Sequence, residues 1–409
     1  MRIGLITGEF PPMQGGVGDF THELGKALAA LGCQVSVITS TKAGDKRQAD
    51  GIAVFPVIEK WNWRCWSTIL KLVRELEPDV VNIQYQTAAY GMHPAINFLP
   101  RRLRRERRRP RVVITYHDLR EPYLFPKAGP LRHWITREPA RQSDAAIVTD
   151  PEDVSRITYH ATRITRLAWI PIGSNIAPAP PPDYDRDAWR ARWGAGPGDL
   201  LLAYFGFLNE SKGGETLIRA LAGVVNHGVP ATLLMIGGQV GSSDPTNVAY
   251  LRKVEALITE LSLDERVMWT GYTPANEVSA NLLAADVCVL PYRDGASFRR
   301  GSFMAALAHG CAIVSTRSPM YNGQGPMPKL VDGENVLLVP PDDAQALAAA
   351  IVRLAEDANL RRRLMEGAAA LAQHFTWESI AARTLALYET LDFIGNKPSH
   401  AKAQRTPRY

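Results

Sequence analysis

The chain has 409 residues, 46% of them hydrophobic and 22% charged, the balance of a large globular enzyme of two or three domains, which excludes a disordered, collagen-like or disulfide-built protein. Its 47 Lys and Arg against 41 Asp and Glu leave a net charge of +6, and no nucleic-acid motif accompanies that excess, so no nucleic-acid partner is expected. Four cysteines without a CxxC pair, no signal-peptide pattern and no apolar run of about 18 residues give the expectation of a cytoplasmic protein with no metal site and no membrane span.

In chain order, RIGLIT reads as a buried strand, followed by a loop and a helical stripe at Phe20, Leu24, Ala27, Leu28 and Leu31, then a second strand over Val35 to Thr39. Trp66, Ile69, Leu70, Val73 and Leu76 mark the next helix, ahead of the strands DVVNI, VVITY, AAIVT and LAWIP. Between them RRLRRERRRPR places eight arginines from Arg101 to Arg111. The run suits phosphates or anionic lipid head groups, and any membrane contact through it would be peripheral. The competing reading is a solvated outer helix.

From Ala177 to Gly198 the chain is rich in Pro, Gly and charge, with a short helix near Trp189, which reads as a linker. A second alternation follows, with strands at LLLAYF, TLLMIG, RVMWTG, ADVCVLPY, CAIVST and NVLLVP and helical patterns over Thr216 to Val225 and Ala344 to Leu354. The expected fold class is therefore α/β, with two Rossmann-like domains facing across a cleft, over residues 1–176 and 198–377. Residues 396–409 read as a mobile basic tail.

Ligands of open α/β sheets bind at the carboxyl ends of the strands, so the candidate residues are sought there. The first βα turn carries Gly15, Gly16 and Gly18, whose helix-start amides favour an anion. In the second half, Lys212 follows Gly206 in GFLNESKGG and can serve as a point charge for phosphate. PYRDGASFRRGSF brings Arg293, Ser297, Arg299 and Arg300 to the helix start at Gly301 and Ser302, a set of guanidinium groups, hydroxyls and amides suited to a diphosphate. GYT places Gly271 and Tyr272 after another strand. His117 follows VVITY and can position a sugar hydroxyl or exchange a proton. Gln86, Tyr90 and Glu121 are the acceptor-side candidates, with packing as the alternative for each.

GEFPPMQGGVGDFTHELGKALAALGCQVSVIT, ITYHD, YFGFLNESKGGETLIRAL, GYTPANEVSANLLAADVCVLPY, AALAHGCAIVST, LVDGENVLLVPPDDAQALAAAI and FTWESIA together resemble the family 4 retaining glycosyltransferases of GT-B architecture, in order and over nearly the whole chain. The resemblance implies an amino-terminal acceptor domain, a carboxyl-terminal nucleotide-sugar domain, and a final helix from Trp377 that crosses back to complete the first domain over about 378–395. It implies that Gly16 and its neighbours meet donor phosphates, that His117 contacts the transferred sugar, and that Lys212 neutralises the diphosphate. The chain departs from the family pattern at Phe207, where an arginine is usual, and at Ser297 and Ala305, where paired glutamates are usual.

The function implied is metal-independent, retaining transfer of a hexosyl group from a nucleotide-diphosphate sugar, UDP- or GDP-linked, to a sugar, a lipid-linked or a small-molecule acceptor, with no cofactor. His117, Lys212 and Arg300 would carry the chemistry. The alternative is a catalytically silent nucleotide-sugar-binding or scaffold protein of the same architecture.

Overall fold

Runs such as Ile3, Leu5 and Ile6, or Leu201, Leu202 and Ala203, are apolar on both faces, which a strand tolerates only when helices cover both sides of a parallel sheet. The computed structural model describes residues 1–13, 15–119, 130–150, 153–154, 157, 166–238, 245–318 and 328–392. It divides into two units, Met1–Pro171 with Trp377–Tyr409, and Ile172–Thr376.

In the first unit, eight strands, β1 (Arg2–Thr7), β2 (Gln34–Ser40), β3 (Arg47–Ala49), β4 (Ile52–Ile58), β5 (Val80–Tyr85), β6 (Arg111–Tyr116), β7 (Ala145–Val148) and β8 (Leu167–Trp169), form one sheet in the order β3-β4-β2-β1-β5-β6-β7-β8. All neighbours are parallel except β3 and β4. The helices are α1 (Gly16–Ala30), α2 (Cys65–Leu76), α3 (Ala95–Leu103) and α4 (Pro130–Gln142). Strand β4 escaped the sequence reading because Pro56 interrupts its apolar run; its preceding β3 turns back on it as a hairpin.

The arginine run is an outer helix only at its start, where Arg101 and Arg102 lie exposed in the last turn of α3. Helix α3 ends at Leu103, and Arg104 to Arg109 turn back toward β6, as expected where successive like charges repel along a helix and Pro110 cannot continue one. The final helix, Trp377–Asp392, packs on this unit: Tyr388 is fully buried and its hydroxyl accepts from Asn82 Nδ2 at 2.6 Å, while Arg383 donates to the Trp169 carbonyl at 2.9 Å. Residues 396–409 lie outside the described residues.

In the second unit, β9 (Leu200–Phe205), β10 (Ala231–Ile236), β11 (Val267–Trp269), β12 (Val287–Leu290), β13 (Ile313–Thr316) and β14 (Leu337–Val339) make a wholly parallel sheet in the order β11-β10-β9-β12-β13-β14. Its helices are α5 (Arg186–Arg192), α6 (Gly214–Asn226), α7 (Pro245–Glu260), α8 (Ala275–Ala284), α9 (Gly301–Ala308), α10 (Ala344–Glu356) and α11 (Ala358–Ala372). The stretch read as a linker is tied down within this unit. Asp185 caps α5, the indoles of Trp189 and Trp193 both donate to Asn281 Oδ1 at 2.7 and 2.9 Å, and buried Arg190 pairs with Asp286 at 2.7 Å.

Candidate functional site

The second unit brings two cations and a helix start together from two turns. After β9, Gly206 adopts φ +125 and faces Ser302, a conformation open to glycine and strained for other residues. The chain then turns through Glu210–Lys212 to Gly213, where φ is +71 and a Cβ would lie 2.0 Å from the Pro291 carbonyl. Glycine at 213 thus lets the backbone close against the turn after β12. That closure sets Lys212 Nζ 5.0 Å from the centre of the Tyr292 ring.

Tyr292 is fully buried, and its hydroxyl is 2.7 Å from Ser302 Oγ in the first turn of α9. The Arg300 guanidinium lies 4.1 Å from the same ring and pairs with Asp294. Two cations are therefore held on one aromatic ring by cation–π attraction. Burial, and secondarily the neighbouring Arg300 charge, pushes Lys212 down to about 8, against the opposing pull of Asp294. Such a lysine gains an anionic partner readily, because the desolvation cost is already met in the folded protein. The first amides of α9 have no carbonyl partner within their helix and point in the direction that favours negative charge. A Cβ at Gly301 would meet nothing within 4 Å, so the helix start is open.

The first unit treats a similar turn differently. Between β1 and α1 the chain runs through Gly8, Glu9 and Phe10 to Gly15, and the Glu9 carboxylate accepts the amides of Val17 at 3.2 Å and Gly18 at 3.4 Å. A Cβ on Gly15 would sit 2.1 Å from that carboxylate. The glycine-rich turn is thus shaped around an internal acid, which already occupies the amino end of α1.

At the carboxyl ends of β5 and β6 the same unit presents a polar pair, Gln84 buried on β5 and His117 half-buried just after β6. Gln84 is fully buried, and its Oε1, which can only accept, lies 2.9 Å from His117 Nε2. With the amide oriented this way, a proton on His117 Nε2 matches Gln84 Oε1 and Nδ1 is the accepting nitrogen; the opposite amide orientation would reverse the two roles. Burial pushes His117 down to about 3, so the ring is neutral across the physiological range. Phe20 of α1 packs edge-on against it at 4.6 Å, and Trp377 packs on Phe20 at 5.3 Å. Gln84 Nε2 is buried with no hydrogen-bond partner among the described residues.

The glycosyl transferases group 1 model matches residues 199–357, and the glycosyl transferase 4-like domain model matches residues 15–173. The chain belongs to the group 1 glycosyltransferases. It is 25% identical to a D-inositol 3-phosphate glycosyltransferase of Corynebacterium efficiens over 99% of this chain and 100% of that protein. It is 34% identical to an MMP alpha-(1->4)-mannosyltransferase of Mycolicibacterium hassiacum over 33% of this chain and 32% of that one. Among solved structures, sucrose-phosphate synthase of Thermosynechococcus elongatus shares the fold with a TM-score of 0.72 at 23% identity, covering 96% of this chain and 99% of that one. Anabaena HepE in complex with UDP-glucose does so with a TM-score of 0.68 at 18% identity, over 95% and 100% of the two chains. The architecture is GT-B.

Within this glycosyltransferase, Lys212, Arg300 and Ser302 come together on Tyr292, with Gly206 against Ser302 and Gly301 opening α9. Ser297 and Arg299 are half-buried in the turn before α9, and the Arg299 amide leans on Ser297 Oγ at 3.4 Å. Arg293 does not join the cations: it is exposed and paired with Glu210 and Asp342. Gly271 pairs with Gly237 in an isolated bridge, and Tyr272 beside it is 84% exposed. Phe207, in the place of an arginine, is 52% exposed with its ring 3.0 Å from where a Cβ on Gly238 would stand. Ala305 is fully buried inside α9.

Two expectations require correction. Of the glycine turn expected to meet phosphate, the Gly18 amide, with that of Val17, is held here by the Glu9 carboxylate, while a Cβ at Gly16 would meet nothing within 4 Å. Tyr90 is not an acceptor contact: it is fully buried and its hydroxyl reaches the Ile6 and Gln84 carbonyls at 3.0 and 2.8 Å. Gln86 is half-buried after β5, and Glu121 lies outside the described residues. Glu9, Gln84 and Tyr292 were passed over in the sequence. Only Gln84 left a signal there, as a polar residue inside the apolar run of β5. No cluster of three or more metal-ligating side chains occurs among the described residues.

Proposed function

We propose that this glycosyltransferase moves a hexosyl group with retention from a UDP- or GDP-linked sugar, without a metal, and that Lys212, Arg300 and the first amides of α9 stabilise the departing diphosphate. The observation that carries the reading is the pair of cations held on the Tyr292 ring beside an open helix start. A UDP-sugar is also what the Anabaena protein of the same fold holds. The bond from the sugar C1 to the diphosphate breaks with its electron pair passing to phosphate. The acceptor hydroxyl bonds to C1 from the same face, and its proton passes to a phosphate oxygen. No pair of acid and base carboxylates is then needed, and positive charges placed in advance where negative charge grows supply the main rate gain. His117, neutral and turned by Gln84, offers Nδ1 to a hydroxyl of the transferred sugar.

Transfer from UDP- and GDP-sugars, with the anomeric configuration of the product read by NMR, tests the proposal. Retained configuration and full turnover in EDTA are expected. Inversion, or turnover abolished by EDTA and restored by Mg²⁺, would refute it. The reading of a silent binding protein rests on the missing carboxylates at Ser297 and Ala305, and would be supported by nucleotide binding with no turnover on any acceptor.

A further inference from the structure

The first unit carries a second surface that the donor chemistry does not use. Trp63, in the segment between β4 and α2, meets Trp66 at 5.0 Å, His93 at 5.5 Å and Phe98 of α3 at 6.0 Å, and Phe98 meets Trp134 of α4 at 5.9 Å. Trp63 is 47% and Trp134 is 41% exposed. Large aromatic rings joined in a chain and left facing water cost free energy that scattered surface rings do not.

Exposed arginines accompany this chain of rings. Arg64, Arg101, Arg102, Arg105 and Arg107 are exposed, Arg102 lies 5.9 Å from the Trp66 ring, and Arg101, Arg105 and Arg107 form no ion pair among the described residues. Other arginines nearby are matched: Arg74 with Glu106, Arg108 with Glu77 and Arg109 with Asp144. Arg101 and Arg102 stand on α3 a turn after Phe98, so this unmatched charge shares the helix that carries a ring of the chain.

We propose that this face docks on an anionic lipid bilayer, with Trp63, Phe98 and Trp134 at the level of the head groups and the arginines on lipid phosphates. Indole and phenyl rings with one apolar body and one wet edge suit the membrane interface. Each basic residue near an anionic leaflet strengthens binding about fivefold. A neutral carbohydrate would have no use for the arginines, so the charge decides between the two occupants. The segment bearing Trp63 follows β4 and the one bearing His93 follows β5, so the face adjoins the strand ends where His117 and Gln86 stand, and Trp61 bridges them by packing on Tyr90 at 4.8 Å. Resting on the transferase reading, this assigns the acceptor to the membrane-borne class: an amphiphile whose head group reaches those strand ends while its tail stays in the bilayer.

Flotation of the full chain with vesicles of phosphatidylcholine alone, or of equal parts phosphatidylcholine and phosphatidylglycerol, tests the proposal. Binding to the mixed vesicles at low salt is expected, with a blue shift of tryptophan emission, and little binding to phosphatidylcholine alone. The double variants Trp63→Ser with Trp134→Ser, and Arg101→Glu with Arg105→Glu, should each lower the partition coefficient by about tenfold or more, with unchanged far-UV circular dichroism. Lys212→Ala should float like the parent chain, so loss of donor binding and loss of docking are read separately. Absence of the parent chain from the mixed vesicles, or an undiminished partition in either double variant, would overturn the proposal. So would quenching of the tryptophan emission by a soluble oligosaccharide without vesicle binding, which would make the face a carbohydrate platform.

Discussion

The two units solve the same local problem in opposite ways. Each places a helix start at the carboxyl end of a strand, beside a glycine turn. In the first unit the amides of Val17 and Gly18 are met by Glu9 of the same loop. In the second, the acid nearest α9, Asp294, is paired with Arg300, and the helix start at Gly301 stands open with Lys212 and Arg300 beside it. The lesson is that a glycine-rich turn before a helix defines a place for an anion and leaves open whether the protein fills it itself. The carboxylate within reach decides, and it lies eight residues upstream of Val17 where no short motif would include it.

The largest expected effect sharpens the second half of that comparison. Lys212→Ala and Arg300→Ala each remove a charge-assisted contact of about 1.5–3 kcal/mol, roughly ten- to a hundredfold in affinity for the nucleoside diphosphate. Isothermal titration should record that loss with no change in the far-UV spectrum. On the proposed division of roles, with His117 on the sugar and not on phosphate, His117→Ala should lower turnover while leaving nucleoside-diphosphate affinity nearly unchanged. Equal losses in both measurements would break this division of roles.

Glu9→Ala tests the first half. Removing a side chain that caps a helix start costs about 1 kcal/mol of stability, so the variant should melt a few degrees lower by calorimetry while nucleoside-diphosphate affinity stays within about twofold of the parent. A smaller effect still comes from pH. Lys212, held down to about 8 by burial, is charged below that value and neutral above it. Affinity for the nucleoside diphosphate should therefore weaken as pH rises through about 8, while His117, neutral above about 3, adds no step between pH 5 and 8, so a change at about pH 6 to 7 belongs to the terminal phosphate of the ligand itself. At the bottom of the scale, Arg104→Ala should leave turnover of a water-soluble acceptor unaltered.

Much of the fold was legible because burial writes itself into the sequence: every parallel strand that is apolar throughout, from β1 to β14, shows as a short run bounded by turn residues. β4 was hidden by Pro56, whereas the short helix near Trp189 was read and corresponds to α5. The two cations on the Tyr292 ring were legible as candidates because Lys212 and Arg300 sit at fixed places after strands, where solubility does not call for charge. What holds them was not. Tyr292 reads as one more apolar residue at the end of β12, and its service to two cations depends on a turn that closes only because residue 213 is glycine. Gln84 and Glu9 act through side-chain contacts to residues 33 and eight positions away, which periodicity does not report. The chain of rings at Trp63, Phe98 and Trp134 joins three segments and is visible only once they are folded together.

The central claim is that the diphosphate is received by the second unit at Lys212 and α9, and not by the glycine turn of the first. Amide chemical shifts of the isotope-labelled full chain, followed during titration with UDP and then GDP, address it directly. The account predicts that Gly206, Lys212, Gly213 and the amides of Gly301, Ser302 and Phe303 shift together along one saturable curve, while Val17 and Gly18 stay where Glu9 holds them. Saturable shifts at Val17 and Gly18, with Lys212 and Gly301 to Phe303 unmoved, would contradict it.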